Sequence, residues 1–260
     1  MTLAFRKYGN SRPLLILHGL FGQSDNWNTL AKKFSERNLE VFAIDLRNHG
    51  LSPHSNNFSY REMAEDIFEF VKLHGLEKAI LLGHSMGGKV AMFAAQLKEE
   101  LFQALIVADM APVAYPPHHD EVLKALQSID FERVQNRKAA EELLSKSISD
   151  FGTRQFLLKN IYYTDPEAGR MAWRFNLGVI TEKYNEILAE VPNKVCRIHT
   201  LFIKGEKSNY ISDTYHNSIF SRFPLAEIIT IPGAGHWVHA DQPELFFAAA
   251  MKHIESIPNH

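Results

Sequence analysis

The sequence holds one cysteine, Cys196, in 260 residues. A lone thiol cannot close an intramolecular disulfide, so a disulfide-stapled scaffold is excluded. Charge of one sign is also lacking: 28 Lys and Arg stand against 30 Asp and Glu, a net charge of -2. No bulk basic field draws the chain onto nucleic acid or anionic lipid, and neither is expected as a partner. No run approaches the ~18 consecutive apolar residues of a membrane span, so none is expected. The opening residues MTLAFRKYGN carry no apolar stretch of the secretory kind, and a cytoplasmic protein is the expectation. Low-complexity tracts and repeats of 20–50-residue period are missing as well. Asn57-Phe58-Ser59 spells a glycosylation sequon with no export signal to serve it.

What is present reads as one globular α/β unit. Hydrophobic residues make up 45% and charged residues 22%, which argues against disorder. Short apolar runs at 14–17, 41–44, 79–82, 104–108, 201–203 and 228–231 read as buried strands. Between them, 27–36, 60–73, 88–98, 212–221 and 243–257 read as helices, with Met63, Ile67, Phe70 and Val71 on one helical face. The order βαβαβ predicts a doubly wound, mostly parallel sheet. The alternation stops after Ala108 and resumes near Leu201. Residues 1–111 and 196–260 are therefore expected to form the core, and 112–195 a helical lid, with helices near 121–128, 139–148 and 153–160. An insertion at a strand's carboxyl end lies over the edge where open α/β sheets bind ligands.

Ile80-Leu81-Leu82-Gly83-His84-Ser85-Met86-Gly87-Gly88-Lys89 is a strand, a Gly-x-Ser-x-Gly turn and a helix start. A serine hydroxyl is a poor nucleophile unless exposed on a sharp turn and aimed at a base. Gly83 and Gly87 let strand and helix approach closely enough for Ser85 to occupy such a turn. The bland reading is a Gly-rich turn that happens to hold serine. A second reading, a phosphate-binding G-x-x-x-x-G-K-[S/T] loop, fails because Val90 stands where the magnesium-ligating hydroxyl belongs.

Gly233-Ala234-Gly235-His236-Trp237 follows the last strand, so His236 is the candidate base, against the alternative of one more surface histidine among 13. His18-Gly19-Leu20-Phe21-Gly22 follows the first buried run. Its backbone is the candidate oxyanion donor, Leu20 N–H paired with Met86 N–H, and Phe21 as the alternative to Leu20. His239 reads as packing or support for His236.

These motifs, HGLFG, GHSMG and GAGHW in that order, resemble the α/β-hydrolase superfamily. In most of that family the acid follows the penultimate strand in a pattern like G-x-x-D. Here the segment reads Gly205-Glu206-Lys207-Ser208, a hydroxyl where the carboxylate would be. Asp109, at the end of the strand after the elbow unit, is the better candidate, with Glu206 and Asp213 as rivals. The chain looks closest to the small esterase/thioesterase group typified by YbfF, related to the abhydrolase-domain 11 proteins. HGLFG (18–22), DLRNHGLSP (45–53), GHSMGGK (83–89), DMAPVAY (109–115), WRFN (173–176) and GAGHWVHA (233–240) carry that resemblance. It implies a triad of Ser85, His236 and Asp109.

Arg47 and His49 read as loop-pinning residues. His118-His119-Asp120 reads as a solvated loop rather than a metal site, since adjacent side chains diverge. Phe156, Trp173 and Phe175 are candidate substrate contacts, the alternative being ordinary lid core. Arg174 is a candidate partner for an anionic substrate group. The expected activity is cleavage of carboxylic esters and acyl thioesters such as acyl-CoA, without metal or organic cofactor, by a monomer or weak homodimer. Cleavage of a C–C bond on the same triad and a binding protein or sensor that kept the fold stay open as alternatives.

Overall fold

Along the strands, successive buried residues divide between two cores. Leu15, Leu17, Leu81, Leu105, Val107 and Phe202 pack on one side; Leu14, Ile16, Ile80, Leu82, Ile106 and Ile203 pack on the other. Alternation with period two, apolar on both faces, is what a sheet covered twice requires. The computed structural model describes residues 1–134 and 136–257. Its strands are β1 (Phe5–Tyr8), β2 (Arg12–Leu17), β3 (Leu39–Ile44), β4 (Ala79–His84), β5 (Phe102–Ala108), β6 (Ile161–Asp165), β7 (Arg170–Trp173), β8 (His199–Gly205) and β9 (Ala226–Ile231). Seven of them form one sheet in the order β1-β3-β2-β4-β5-β8-β9, and β6 pairs with β7 as a separate hairpin. Within the large sheet β1 is antiparallel to β3 and the other pairings are parallel. The mostly parallel, doubly wound sheet read from the sequence is the one observed.

Helices α1 (Asn28–Ser35), α2 (Tyr60–Leu73) and α3 (Met86–Leu97) follow the early strands. Between β5 and β8 lie α4 (Asp120–Gln127), α5 (Arg137–Leu144), α6 (Phe151–Leu158), α7 (Leu177–Glu182) and α8 (Tyr184–Leu188). The chain closes through α9 (His216–Arg222), α10 (Val238–Asp241) and α11 (Pro243–Ser256). α2 begins where the Ser59 side chain accepts from the Glu62 amide, and buries Met63, Ile67, Phe70 and Val71. Each such side chain contributes about 1.5–3 kcal/mol by leaving water. α3 is buried on almost every side, because the sheet covers one face while α2 and the segment before β8 cover the rest.

That connection is tied to the core by buried donors. Tyr60 Oη donates to the Ile187 carbonyl at 2.6 Å, and Lys89 Nζ to those of Leu188 and Ala189 at 3.2 and 2.5 Å. Gln96 Nε2 donates to Pro192 and Lys194 at 3.0 and 2.6 Å. Arg47 pins the loops as read: its Nε and Nη2 meet Asp66 at 2.6 and 2.8 Å, and its Nη1 the Asn57 carbonyl.

Three parts of the fold differ from the sequence reading. β1 is an edge strand, FRKY, with an exposed burial pattern and so no apolar signal. The stretch read as helical between β5 and β8 includes the β6–β7 hairpin, whose turn carries Gly169 at φ +66°. The helix expected at 212–221 starts as a 3-10 turn, Asp213–Tyr215, before α9.

The glycines of the elbow are there for close approach. A Cβ on Gly83 would lie 2.2 Å from the Gly87 carbonyl oxygen, and one on Gly87 2.3 Å from that of Leu17. Gly87→Ala is expected to destabilise the fold by about 2–3 kcal/mol through forced separation of α3 from β2, measured by urea unfolding. A loss below about 0.5 kcal/mol, the scale of an indifferent surface change, would contradict that account.

Candidate active site

In this sheet the candidate residues stand at the carboxyl ends of adjacent strands. His18–Gly22 follow β2, Ser85 follows β4, Asp109 follows β5, Ser208 follows β8 and His236 follows β9. The chain adds β3 on one side of β2 and β4 on the other, so the loops after β2 and β4 part and leave a crevice.

The structure brings Ser85, His236 and Asp109 together. Ser85 Oγ donates to His236 Nε2 at 3.0 Å, and His236 Nδ1 donates to Asp109 Oδ2 at 2.7 Å. The two bonds define one imidazole tautomer, protonated on Nδ1 and open to a proton on Nε2. Ser85 sits at φ +52°, ψ -119°, a strained turn between β4 and α3 that pushes its hydroxyl out of the strand line. Asp109, also at a positive φ of 50°, has no solvent exposure. Its Oδ1 accepts from the Gly205 amide at 3.0 Å, and its Oδ2 from Ser208 Oγ as well as from His236. Ser208, a hydroxyl at the position where the superfamily resemblance implies an acid, therefore reaches the same carboxylate from the loop after β8.

The rival carboxylates lie elsewhere. Glu206 accepts from the Gly233 amide at 2.7 Å and so braces the loop leading to His236. Asp213 is 89% exposed, 4.0 Å from Lys204.

On the other side of Ser85, two amides remain open. Among the described residues neither Leu20 N–H nor Met86 N–H donates to a protein group. The Phe21 amide is committed to His49 Nε2 at 3.2 Å, which removes it as an alternative donor in this arrangement. The turn itself is closed by Gly22 N–H to the Gly19 carbonyl at 2.9 Å, with Phe21 at φ +60°.

Buried histidines hold these loops as neutral rings. His49 Nδ1 donates to the Arg47 carbonyl while Nε2 accepts from Phe21. His18 Nδ1 donates to the Gly19 carbonyl while Nε2 accepts from Leu46. Burial pushes His18 down to about 4, and burial with the nearby His18 pushes His49 down to about 3. His84 donates to the His236 carbonyl at 2.9 Å and is held well below its usual range by burial. His239, stacked on Trp27 at 4.1 Å, is pushed down to about 3 by burial and fills the packing role read for it.

A cavity of about 20 Å³ lies beside Ser85, lined by Leu20, Tyr60, Met86, Lys89, Met110, Tyr115, His118, His119, Tyr184 and Tyr210 among others. The four side chains expected to contact substrate do not line it. Phe156 packs on Trp237 at 5.2 Å, Trp173 stacks on Phe175 at 5.1 Å, and Phe175 meets Phe21 at 5.0 Å. Arg174 lies over the Tyr162 ring at 4.8 Å. The three rings instead pack on other aromatics, Trp173 also on Phe131 at 5.2 Å, outside the cavity. The tyrosines missed by sequence reasoning come one from each of several segments, and only Tyr115, inside DMAPVAY, lay in a motif. His118, read as part of a solvated loop, is exposed but accepts from Tyr210 Oη at 2.5 Å. Among the described residues no cluster of His, Cys, Asp and Glu is arranged to hold a metal, and no helix is long and apolar enough to cross a membrane.

The sheet order, the elbow after β4 and the hydrogen-bonded serine, histidine and aspartate are those of a hydrolase. The alpha/beta hydrolase family model matches residues 14–250, and the chain belongs to that family. It is 38% identical to the mouse protein named sn-1-specific diacylglycerol lipase ABHD11, over 91% of this chain and 78% of that one. It is 34% identical to Esterase YbfF of Escherichia coli, with 94% of each chain covered. Among solved structures, a marine microorganism esterase superposes with a TM-score of 0.93 at 41% identity, covering 96% of this chain and 98% of that one.

The depressed histidines make stability depend on pH in a fixed direction. Each binds a proton in the unfolded chain near 6.5 but in the folded one only near 3–4, for His18, His49, His119 and His239. Between those values the unfolded state carries more protons, so stability falls as pH falls, by up to about 1.4 kcal/mol per unit for each ring. Urea midpoints are expected to hold above pH 7 and to drop steeply from pH 6.5 to 4. A flat profile over that interval would contradict the neutral-ring assignment.

Proposed function

We propose that the protein is a serine hydrolase that cleaves carboxylic esters and acyl thioesters through an acyl-enzyme. Ser85 Oγ attacks the acyl carbonyl as its proton passes to His236 Nε2. Asp109 holds the Nδ1–H tautomer and stabilises the imidazolium that forms. The Leu20 and Met86 amides receive the oxyanion, a contribution of about 3–4 kcal/mol to the transition state for a preorganised donor. His236 then returns the proton to the departing alcohol or thiol, leaving acyl-Ser85. Water, deprotonated by His236, attacks the acyl carbonyl, and the bond to Ser85 Oγ breaks as His236 returns that proton to Oγ, releasing the carboxylic acid and restoring the hydroxyl.

The observation that carries this reading is the unbroken chain from Ser85 Oγ through His236 to Asp109, at 3.0 and 2.7 Å. That relatives are named esterases and a lipase supports ester substrates. In this reading residues 112–195 act as a lid over a core of 1–111 and 196–260. A cavity of about 20 Å³ has room for little more than one water, which needs about 10–15 Å³ on the same measure, so in this reading the lid opens to admit an acyl chain.

The test is hydrolysis of p-nitrophenyl esters and acyl-CoAs of graded chain length, alongside labelling by a fluorophosphonate. Wild type is expected to turn over both substrate classes and to be labelled on Ser85. Ser85→Ala is expected to lose label and at least about 10⁴-fold in kcat. Labelling without turnover of any ester would favour carbon–carbon bond chemistry, and no labelling of folded protein would favour a binding role.

A further inference from the structure

The loop after β8 does more than supply Ser208. Two residues on, the Tyr210 ring lies flat against the His236 imidazole, with centroids 3.9 Å apart and planes 22° from parallel. The loop is fixed at both ends of that ring. The Tyr210 amide donates to Ser208 Oγ at 3.2 Å, and its carbonyl accepts from Tyr115 Oη at 2.5 Å. At the far tip, Tyr210 Oη donates to His118 Nε2, whose Nδ1 donates to the Pro116 carbonyl. A phenol held by its own amide, carbonyl and hydroxyl has little freedom to slide off its neighbour.

We infer that Tyr210 is a positioning residue for His236, holding the imidazole by its face and favouring the protonated ring that forms when Ser85 attacks. The inference rests on the reading of His236 as the base. An aromatic face is electron-rich, and a cation over it is attracted electrostatically where a neutral ring is attracted far less. The contact therefore strengthens as His236 takes the serine proton, which is the difference that lowers a barrier. Burial holds the Tyr210 hydroxyl above its usual range, so the ring is a neutral phenol.

The other groups facing His236 are Asp109 at the end of β5, Ser85 before α3, His84 on β4, His239 on α10 and His119 in the segment before α4. His118 stands behind the Tyr210 hydroxyl. Burial holds His84, His119 and His239 neutral, so their charge is constant from pH 5 to 8. The loop after β8 thus supports the pair at two points, Ser208 at the carboxylate and Tyr210 at the imidazole.

The test reads His236 itself. Histidine-labelled protein is titrated by NMR, with the His236 signal assigned by its loss in His236→Gln, in wild type, Tyr210→Phe and Tyr210→Leu, each checked for folding by circular dichroism. Tyr210→Leu is expected to titrate about 0.5–1 pH unit lower than wild type and Tyr210→Phe within about 0.2 unit of it, the scale of a partly desolvated cation–ring contact. In ester hydrolysis Tyr210→Leu is expected to lose about tenfold in kcat with KM little changed, since the contact matters in the transition state. Equal titration in Leu and wild type, or equal shifts in Phe and Leu, would overturn the inference, the second by placing the effect in the hydroxyl. The titration is read on the resting protein, so a wild type that hydrolyses nothing would defeat the proposed function without deciding this point.

Discussion

Asp109 is a carboxylate with no exposure to water, and a buried charge survives in a protein only where donors replace its hydration. Three arrive here: the Gly205 amide, the Ser208 hydroxyl and His236 Nδ1–H. Two come from the end of β8 and the loop after it, and the third from the loop after β9. The carboxylate thus ties the ends of β5, β8 and β9 together, and only a sheet that places those strands side by side can satisfy it. Orientation of His236, and through it of Ser85, follows from meeting that demand.

The remainder of the site depends on backbone held in uncommon conformations. Phe21, Ser85 and Asp109 all sit at positive φ, at 60°, 52° and 50°. Such residues persist where their surroundings over-determine them. For Ser85 the determinant is the clash-free passage that Gly83 and Gly87 give to β4 and α3. For Phe21 it is the neutral His49 that accepts its amide, while the Leu20 amide has no protein acceptor among the described residues. The histidines are therefore part of the scaffold, and their neutrality is a condition of its geometry.

The central strands and the elbow were legible because a doubly covered parallel sheet writes continuous apolar runs, and because a nucleophile on a sharp turn needs glycine at fixed spacing. Asp109 was legible by a different route: a carboxylate at the end of a buried run, together with a hydroxyl at Ser208. The hydrogen bond from Ser208 to Asp109 was not, since no pattern in one sequence tells which side chains of two loops touch. The β6–β7 hairpin escaped because its strands are short and half-exposed, although Gly169 in its turn was a signal. Tyr60, Tyr115, Tyr184 and Tyr210 converge from α2, two loops and α8, so nothing local marks them as one wall of a cavity. The aromatic-rich WRFN segment drew attention by composition, yet its rings pack on one another.

His236 depends on a carboxylate at the end of β5 rather than on one after β8. The most direct measurement of that dependence is kcat for ester hydrolysis in Asp109→Asn, Glu206→Gln and Asp213→Asn, compared at equal folded fraction. A loss of about 10⁴-fold is expected for Asp109→Asn alone, because asparagine no longer selects the tautomer that leaves Nε2 free for the serine proton. Glu206→Gln and Asp213→Asn are predicted to stay within about threefold of wild type, as changes that leave the charge beside the imidazole intact. Near-wild-type turnover in Asp109→Asn, or a comparable collapse in either of the others, would contradict that dependence.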